Sequence, residues 1–441
     1  MQQPQLRFTG RRQVIASMFA VAALGQGQEV VTIPGKRPMI LHNDRPEDLE
    51  TPVRYFDQWL TPNEVFFVRQ HLPRPVVQEA DYRLSVGGRT SREIQLSVSD
   101  LRKLPQYTVP AVLECTGNGR GFYQPRVPGV QWGRGAVGNA EWSGPRLIDV
   151  LKLAGADMEA AYVTANGVDV GLAKTPDFIR SLAMRKAIDP NTLLAMKMNG
   201  ERLPDLHGFP LRLIVPGWDG TSWVKWVNSL SVANEPDHGF FMDPAYRYPK
   251  HPGAPGQPVD RADLEVIEGM PVKSYITGHL DGDKIPLATT TLRGMAWAGE
   301  ERIIRVDVST DSGSTWVEAQ LSSKRLPFTW RLWTTEWRPS KPGYYTVMSR
   351  ATDSAGRFSL WWLRGIHRDT CSTPLIALVL LWRVYEQTMA DHGLPVRSRR
   401  GSFCERFSGQ RSGKENGGNS LCSLPQYTSD RLTAAFRRGM G

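Results

Sequence analysis

The chain is 441 residues long, 40% hydrophobic, with 14 tryptophans, enough to bury at least two cores. Its formal charge is +10, but the basic residues before position 366 are scattered among acidic ones instead of forming runs, which argues against a nucleic-acid binder and for general attraction to anions. Four cysteines occur, Cys115, Cys371, Cys404 and Cys422, and the first stands alone in the body of the protein.

In chain order, Arg11-Arg12 followed by an apolar stretch to Leu24-Gly25 has the layout of a twin-arginine export signal over residues 1–28. The apolar run is too short to span a bilayer, and the expectation is a periplasmic protein exported already folded. Residues 29–60 are polar and Pro-rich and predict an extended lead-in that closes on an aromatic cluster, Tyr55 to Leu60. Phe66-Phe67 predicts an aromatic strand. Tyr82-Arg83-Leu84-Ser85-Val86 alternates like a strand before a Gly87-Gly88 turn. Farther on, short β-branched runs such as Val109–Leu113 and Leu211–Val215 alternate with helical patterns such as Pro145–Leu151, so residues 29–265 predict a mixed α/β domain and the whole chain an α+β fold. Pro244, Pro249, Pro252, Pro255 and Pro258 cannot propagate a helix and predict an extended crossing to a second domain near residue 265.

From there strands and turns prevail. Ile303–Ser309 alternates, Asp311–Ser314 turns, Thr315-Trp316-Val317 returns, and Phe328–Leu332 and Tyr344–Met348 continue the pattern, predicting an immunoglobulin-like β-sandwich over 266–365. Residues 366–441 hold one apolar run, Pro374 to Trp382, and otherwise Arg, Ser and Gly. That composition predicts a disordered tail that does not complete the sandwich, as in a replaced C-terminus.

Four clusters carry candidate chemistry. Cys115 follows an apolar strand inside the Gly-rich turn Cys115-Thr116-Gly117-Asn118-Gly119-Arg120, where glycines let a bulky group approach the backbone; an inert buried thiol is the alternative to a metal thiolate. Arg69 and His71 sit two apart, one a planar donor fork for an oxyanion and the other a donor to phosphate or a ring nitrogen, with a surface Arg beside a capping His as the alternative. His207 to Arg212 and Trp223-Val224-Lys225 would bring further donors and positive charge. Tyr246-Arg247 would place a phenol beside a cation, against simple aromatic packing.

Over roughly residues 38–356 these stretches resemble the sulfite oxidase family of molybdopterin-dependent oxidoreductases, in its bacterial exported form. The resemblance rests on Phe66–Pro73, Cys115–Arg120, Asn199-Gly200 with His207–Arg212, Val224-Lys225-Trp226 and the strands from Arg293 to Ser354. It implies a molybdenum-molybdopterin cofactor inserted before export, with Cys115 ligating the metal. Arg69, Gln70, His71, His207, Arg212, Trp223, Val224 and Lys225 would contact the pterin or its phosphate, and Arg69 and Tyr246 would face the substrate. An acidic cofactor contact falls near Asn166–Asp169, with Asp169 the candidate at a different spacing. The implied reaction is two-electron oxygen transfer to sulfite or a related sulfur oxyanion, the redox chemistry belonging to the metal. With no Cys-x-x-Cys-His haem signature in the chain, a separate acceptor such as a c-type cytochrome is implied, and relatives form homodimers. Two features depart from the family: Gly119-Arg120 stands where relatives often carry two arginines, and after Phe358 neither the Trp/Asn/Pro-rich segment nor the late basic residue aligns. The alternatives are a sulfane dehydrogenase subunit of a thiosulfate-oxidising complex, a sulfoxide reductase of the same superfamily, which would lack the sandwich, or a non-catalytic cofactor-binding product with a damaged C-terminus.

Overall fold

The computed structural model describes residues 29–123, 126–172, 174–251, 259–359 and the backbone of 380–384. The export-signal segment, Trp361-Trp362, the three later cysteines and most of the tail lie outside the described residues.

The lead-in folds more than its composition predicts. Met39–Asp44 and Glu47–Glu50 form an antiparallel pair edged by Val30–Val31, and the pairing carries Asp48 and Glu50 into buried positions. Phe66-Phe67 is not a strand: both rings are buried, so no solvent face exists to sustain alternation, and the segment touches the meander through a single bridge, Val68 to Leu49.

Two sheets build the first half. One has the order Ile94–Ser97, Arg83–Gly88, Val227–Ala233, Tyr162–Gly167, Arg180–Ala183, in which 83–88 and 227–233 run parallel despite their distance in sequence. The other pairs Tyr107–Glu114 with Val137–Gly144 and ends on two short strands at Lys197–Met198 and Glu201–Arg202. Leu84, Val86, Ala111, Leu113, Leu230 and Val232 point into one core between them. The helical pattern at 145–151 forms the helix Leu147–Leu153, but the other described α-helices are the short Val98–Lys103 and Met184–Ala187, and the described residues are mostly β with few helices. Gly- and Pro-rich connections leave no run long enough for more. The first helix starts from a capping box in which Ser97 and Asp100 satisfy each other's backbone N–H groups.

The Pro-rich crossing also differs from a plain extended linker, because Arg247–Pro249 pairs antiparallel with Leu264–Val266. Beyond it two sheets face each other across Leu292, Trp333, Val306, Val347 and Ala351. One contains Lys273–Ile276, Thr290–Trp297 and Arg331–Trp337; the other contains Ile303–Ser309 and Tyr344–Asp353. The expectation that the tail adds nothing here is overturned at 380–384, whose backbone pairs antiparallel with Tyr344–Val347 and parallel with Lys284–Ile285. A short strand between two neighbours is held by backbone bonds on both of its sides, and a single apolar segment in a polar tail gives no period from which to read it. A separate cluster, including Val112, Val137, Tyr275, Trp297 and Trp330, joins the first half to the second directly beneath the cysteine strand.

Candidate active site

Strand 107–114 delivers Cys115 to the mouth of its sheet. The loop that follows is pinned by its own backbone: Cys115 N–H donates to Ala136 O at 2.9 Å, Asn118 N–H to Cys115 O at 2.8 Å, and Arg120 N–H to Gly117 O at 2.8 Å. Gly119 takes φ +92°, which favours glycine, and a Cβ on Gly117 would lie 3.0 Å from the Arg120 guanidinium. The half-buried Cys115 thus opens on a cavity of about 60 Å³.

Arg69, His71, Asp169, His207, Arg212, Trp223, Lys225 and Tyr246 line that cavity with Cys115. Four clusters separate in sequence meet in one place. Gln70 and Val224 are buried beside it without lining it. Arg247 turns away, donating to the carbonyls of Met242 at 3.2 Å and Leu264 at 3.3 Å, so the expected phenol and cation pair reduces to Tyr246.

The walls are cationic. Arg212 donates to His207 O at 3.1 Å and stands 5.5 Å from the Trp142 ring; burial lowers its pKa to about 9. Lys225 reaches Leu206 O at 3.4 Å and lies 4.3 Å over Trp226; burial and then Arg212 push it well below the lysine range, against the opposing pull of Asp169. Burial raises Asp169 to about 6 while Lys225 draws it down. Arg69 is steadied by Asp48 at 3.1 Å. His71 stacks on Phe178 with centroids 4.2 Å apart, and its Nε2 bonds the Tyr246 hydroxyl. Burial, followed by Arg69, Lys225, Arg180 and Arg120, drives the His71 pKa well below the usual histidine range.

Sequence reasoning missed three contributors. Lys36 places its ammonium 2.8 Å from His207 Nε2 and 2.7 Å from each of the Asn63 and Phe66 carbonyls; burial lowers it to about 7, opposed by Glu64. Asp48 holds Arg69 and the Gln70 N–H. Arg180, 5.5 Å from the Tyr246 ring, donates to Phe241 O and is lowered by burial to about 10. None lies in a motif, so no local signal marked them.

Donor geometry identifies the kind of ligand. Among the described residues no three His, Cys, Asp or Glu side chains converge on one point, and Cys115 is the thiol that lines the cavity. Arg212 Nε and both polar atoms of the Gln70 side chain are buried without a partner, and groups of this kind call for one. A phosphorylated heterocycle fits the lining.

Comparison with known proteins agrees. The model of the oxidoreductase molybdopterin binding domain matches residues 71–241, and that of the Mo-co oxidoreductase dimerisation domain matches 264–369. The sulfite oxidase of Arabidopsis thaliana is 32% identical over 379 residues, covering 78% of this chain and 95% of the relative.

The chain belongs to the sulfite oxidase family of molybdenum-dependent oxidoreductases.

The mitochondrial sulfite oxidase of Homo sapiens is 36% identical over 68% of this chain and 57% of its own length. Against that of Drosophila melanogaster the values are 35%, 73% and 60%, so the chain spans about three fifths of these mitochondrial relatives. The crystal structure of the sulfane dehydrogenase SoxCD from Paracoccus pantotrophus superposes with a TM-score of 0.67 at 26% identity, covering 85% of this chain and 97% of that one. Family and site together assign the cofactor as molybdenum-molybdopterin, whose phosphate and ring suit the buried cations and aromatic faces described above.

Proposed function

We propose that the protein oxidises sulfite to sulfate, SO₃²⁻ + H₂O → SO₄²⁻ + 2H⁺ + 2e⁻, and passes the electrons to a separate acceptor such as a c-type cytochrome. The observation that carries this is a half-buried thiol facing buried cations of which one, Arg212, keeps an unpartnered donor. When bound through Cys115, the molybdenum cofactor supplies two-electron redox chemistry for oxygen transfer to sulfur. The rest falls to the chain. Arg212, Lys225, His207, Trp223, Gln70 and Val224 would contact the pterin or its phosphate, the first three supplying charge and donors. Arg69 offers its fork to the substrate oxyanion while Asp48 fixes its direction. Tyr246 would supply a hydroxyl to the same anion, oriented by its hydrogen bond to His71.

We read the two facing sheets after residue 265 as an immunoglobulin-like sandwich that makes a homodimer, in keeping with the dimerisation-domain match, and residues 29–265 as the cofactor-binding domain. Export to the periplasm belongs to the same reading, supported by Arg11-Arg12 and the apolar stretch after them. The second reading, a sulfane dehydrogenase subunit, is favoured by the structural likeness; sulfite is favoured by the sulfite oxidases that match most of this chain.

Molybdenum content and sulfite-dependent reduction of ferricyanide, compared between the intact chain and Cys115→Ser, test the proposal. Metal and activity in the first and loss of activity in the second are expected. Metal without sulfite turnover points to another sulfur substrate or an inactive cofactor-binding product; folded protein lacking both overturns the reading.

A further inference from the structure

Glu114 immediately precedes Cys115 and is 1% exposed. Its carboxylate is enclosed by three donors. Oε1 accepts from the Lys273 ammonium and from Asn118 Nδ2 at 3.0 Å, and Oε2 accepts from the Trp297 indole N–H at 2.9 Å. Lys273 and Trp297 both belong to the second half of the molecule, where they face each other in register across the pair of strands Lys273–Ile276 and Thr290–Trp297. Asn118 closes the other end of the turn: its N–H donates to Cys115 O, its Oδ1 accepts from Ala136 N–H at 3.1 Å, and its own carbonyl lies 3.5 Å from Lys273 Nζ. Thr116, the residue after the cysteine, donates to Asp219, whose backbone N–H donates to Glu268 O at 2.7 Å.

We propose that the C-terminal sandwich positions the cysteine loop through Lys273 and Trp297, which clamp the Glu114 carboxylate on one side of Cys115 while Asn118 fixes the other. Both are positioning residues, since neither lines the cavity. A buried ion pair is a poor source of stability compared with packed apolar side chains, but it holds direction, because a carboxylate with three donors has little freedom to turn. A thiolate bound to a metal needs such direction, and outer partners of this kind tune how tightly and in what geometry the ligand binds. The second half of the chain thereby takes part in the metal site without touching it. This inference rests on the reading of Cys115 as the metal's thiolate.

The test uses the full chain with Lys273→Met and with Trp297→Phe, both of which keep bulk and remove a donor to Glu114. Leu292→Ala, in the sandwich core but remote from that carboxylate, is the control for general loosening. Two readouts are taken: alkylation of Cys115 in cofactor-free protein, followed at its own peptide, and the Mo(V) paramagnetic resonance spectrum with molybdenum retention in loaded protein. Lys273→Met and Trp297→Phe are expected to shift the spectrum, to weaken retention by about tenfold and to change the alkylation rate severalfold, while Leu292→Ala alters none of these at equal loss of thermal stability. Should Lys273→Met fail to fold, the milder Trp297→Phe still decides. Unchanged spectrum and alkylation in Trp297→Phe, or equal changes in Leu292→Ala, overturn the proposal. Wild-type protein without molybdenum counts against the functional reading instead, and the alkylation comparison then decides the clamp by itself.

Discussion

Behind Cys115, Glu114 meets Lys273, Asn118 and Trp297; in front of it, Arg212 and Lys225 meet carbonyl oxygens and ring faces, and Arg212 Nε has no partner. Both walls bury charge, but in the second Asp48 pairs with Arg69 and Asp169 draws on Lys225 while Arg212 has no ion-pair partner among the described residues. The contrast separates two uses of a buried charge: matched and fully bonded, it is part of the architecture, whereas a cation left without a counter-charge marks a surface for an anion. Removing a charge should therefore have opposite effects on the two walls.

The largest expected effect is behind the cysteine. Glu114→Ala strands the Lys273 ammonium and should cost about 3–5 kcal/mol, whereas Glu114→Gln with Lys273→Met, which removes both charges, should recover most of that loss; urea unfolding of the cofactor-free protein measures each. Equal losses in the single and double variants would mean that the pair is not what holds this wall. In front of the cysteine the sign reverses. Arg212→Met relieves the desolvation of an unmatched cation and should stabilise the cofactor-free protein by about 2 kcal/mol, while molybdenum retention falls by about 10–100-fold. A variant that loses both stability and cofactor would place Arg212 with the architecture.

The smallest and most diagnostic effect is on pH dependence. Asp169 and Asp219 are raised by burial from 3.8 to about 6, so the folded chain holds their protons longer than the unfolded one and stability falls as pH rises through that interval. Lys36 is lowered from 10.5 to about 7; over that interval the unfolded chain binds the extra proton, and stability rises with pH. Lys225 acts in the same direction. Lowered His71 and His207 oppose the fall below pH 6.5, so the diagnostic limb is the alkaline one: the cofactor-free protein should gain stability as pH rises above 7, by no more than about 1.4 kcal/mol per pH unit for each proton, and Lys36→Met should flatten that rise. A monotonic fall from pH 7 to 10 would contradict this account of the cationic wall.

How much of this was legible depended on whether the signal was local. Cys115 in its Gly-rich turn, Arg69 with His71, His207 with Arg212, and Trp223 with Lys225 are contiguous, and the structure draws them around one cavity. Lys36 and Arg180 are isolated residues in unremarkable surroundings, and only folding reveals their burial. The same holds for the fold. Alternation announced the strands at 83–88 and 303–309, but Phe66-Phe67, buried on all sides, imitates a strand without being one, and the short strand at 380–384 depends on the backbone of its two neighbours more than on its own pattern.

The contacts that complete the cavity and its support close very long loops. Lys36 meets His207 across 171 residues and Lys273 meets Glu114 across 159, while 83–88 pairs in parallel with 227–233. Contacts so distant in sequence form slowly and late. A growing chain therefore displays every recognisable motif of the site well before it has the site itself: the cationic wall lacks His207, Arg212 and Lys225 until these are made, and the clamp on Glu114 lacks its last donor until Trp297 has emerged. The support behind Cys115 is therefore complete only once the second half of the chain has been made and folded against the first.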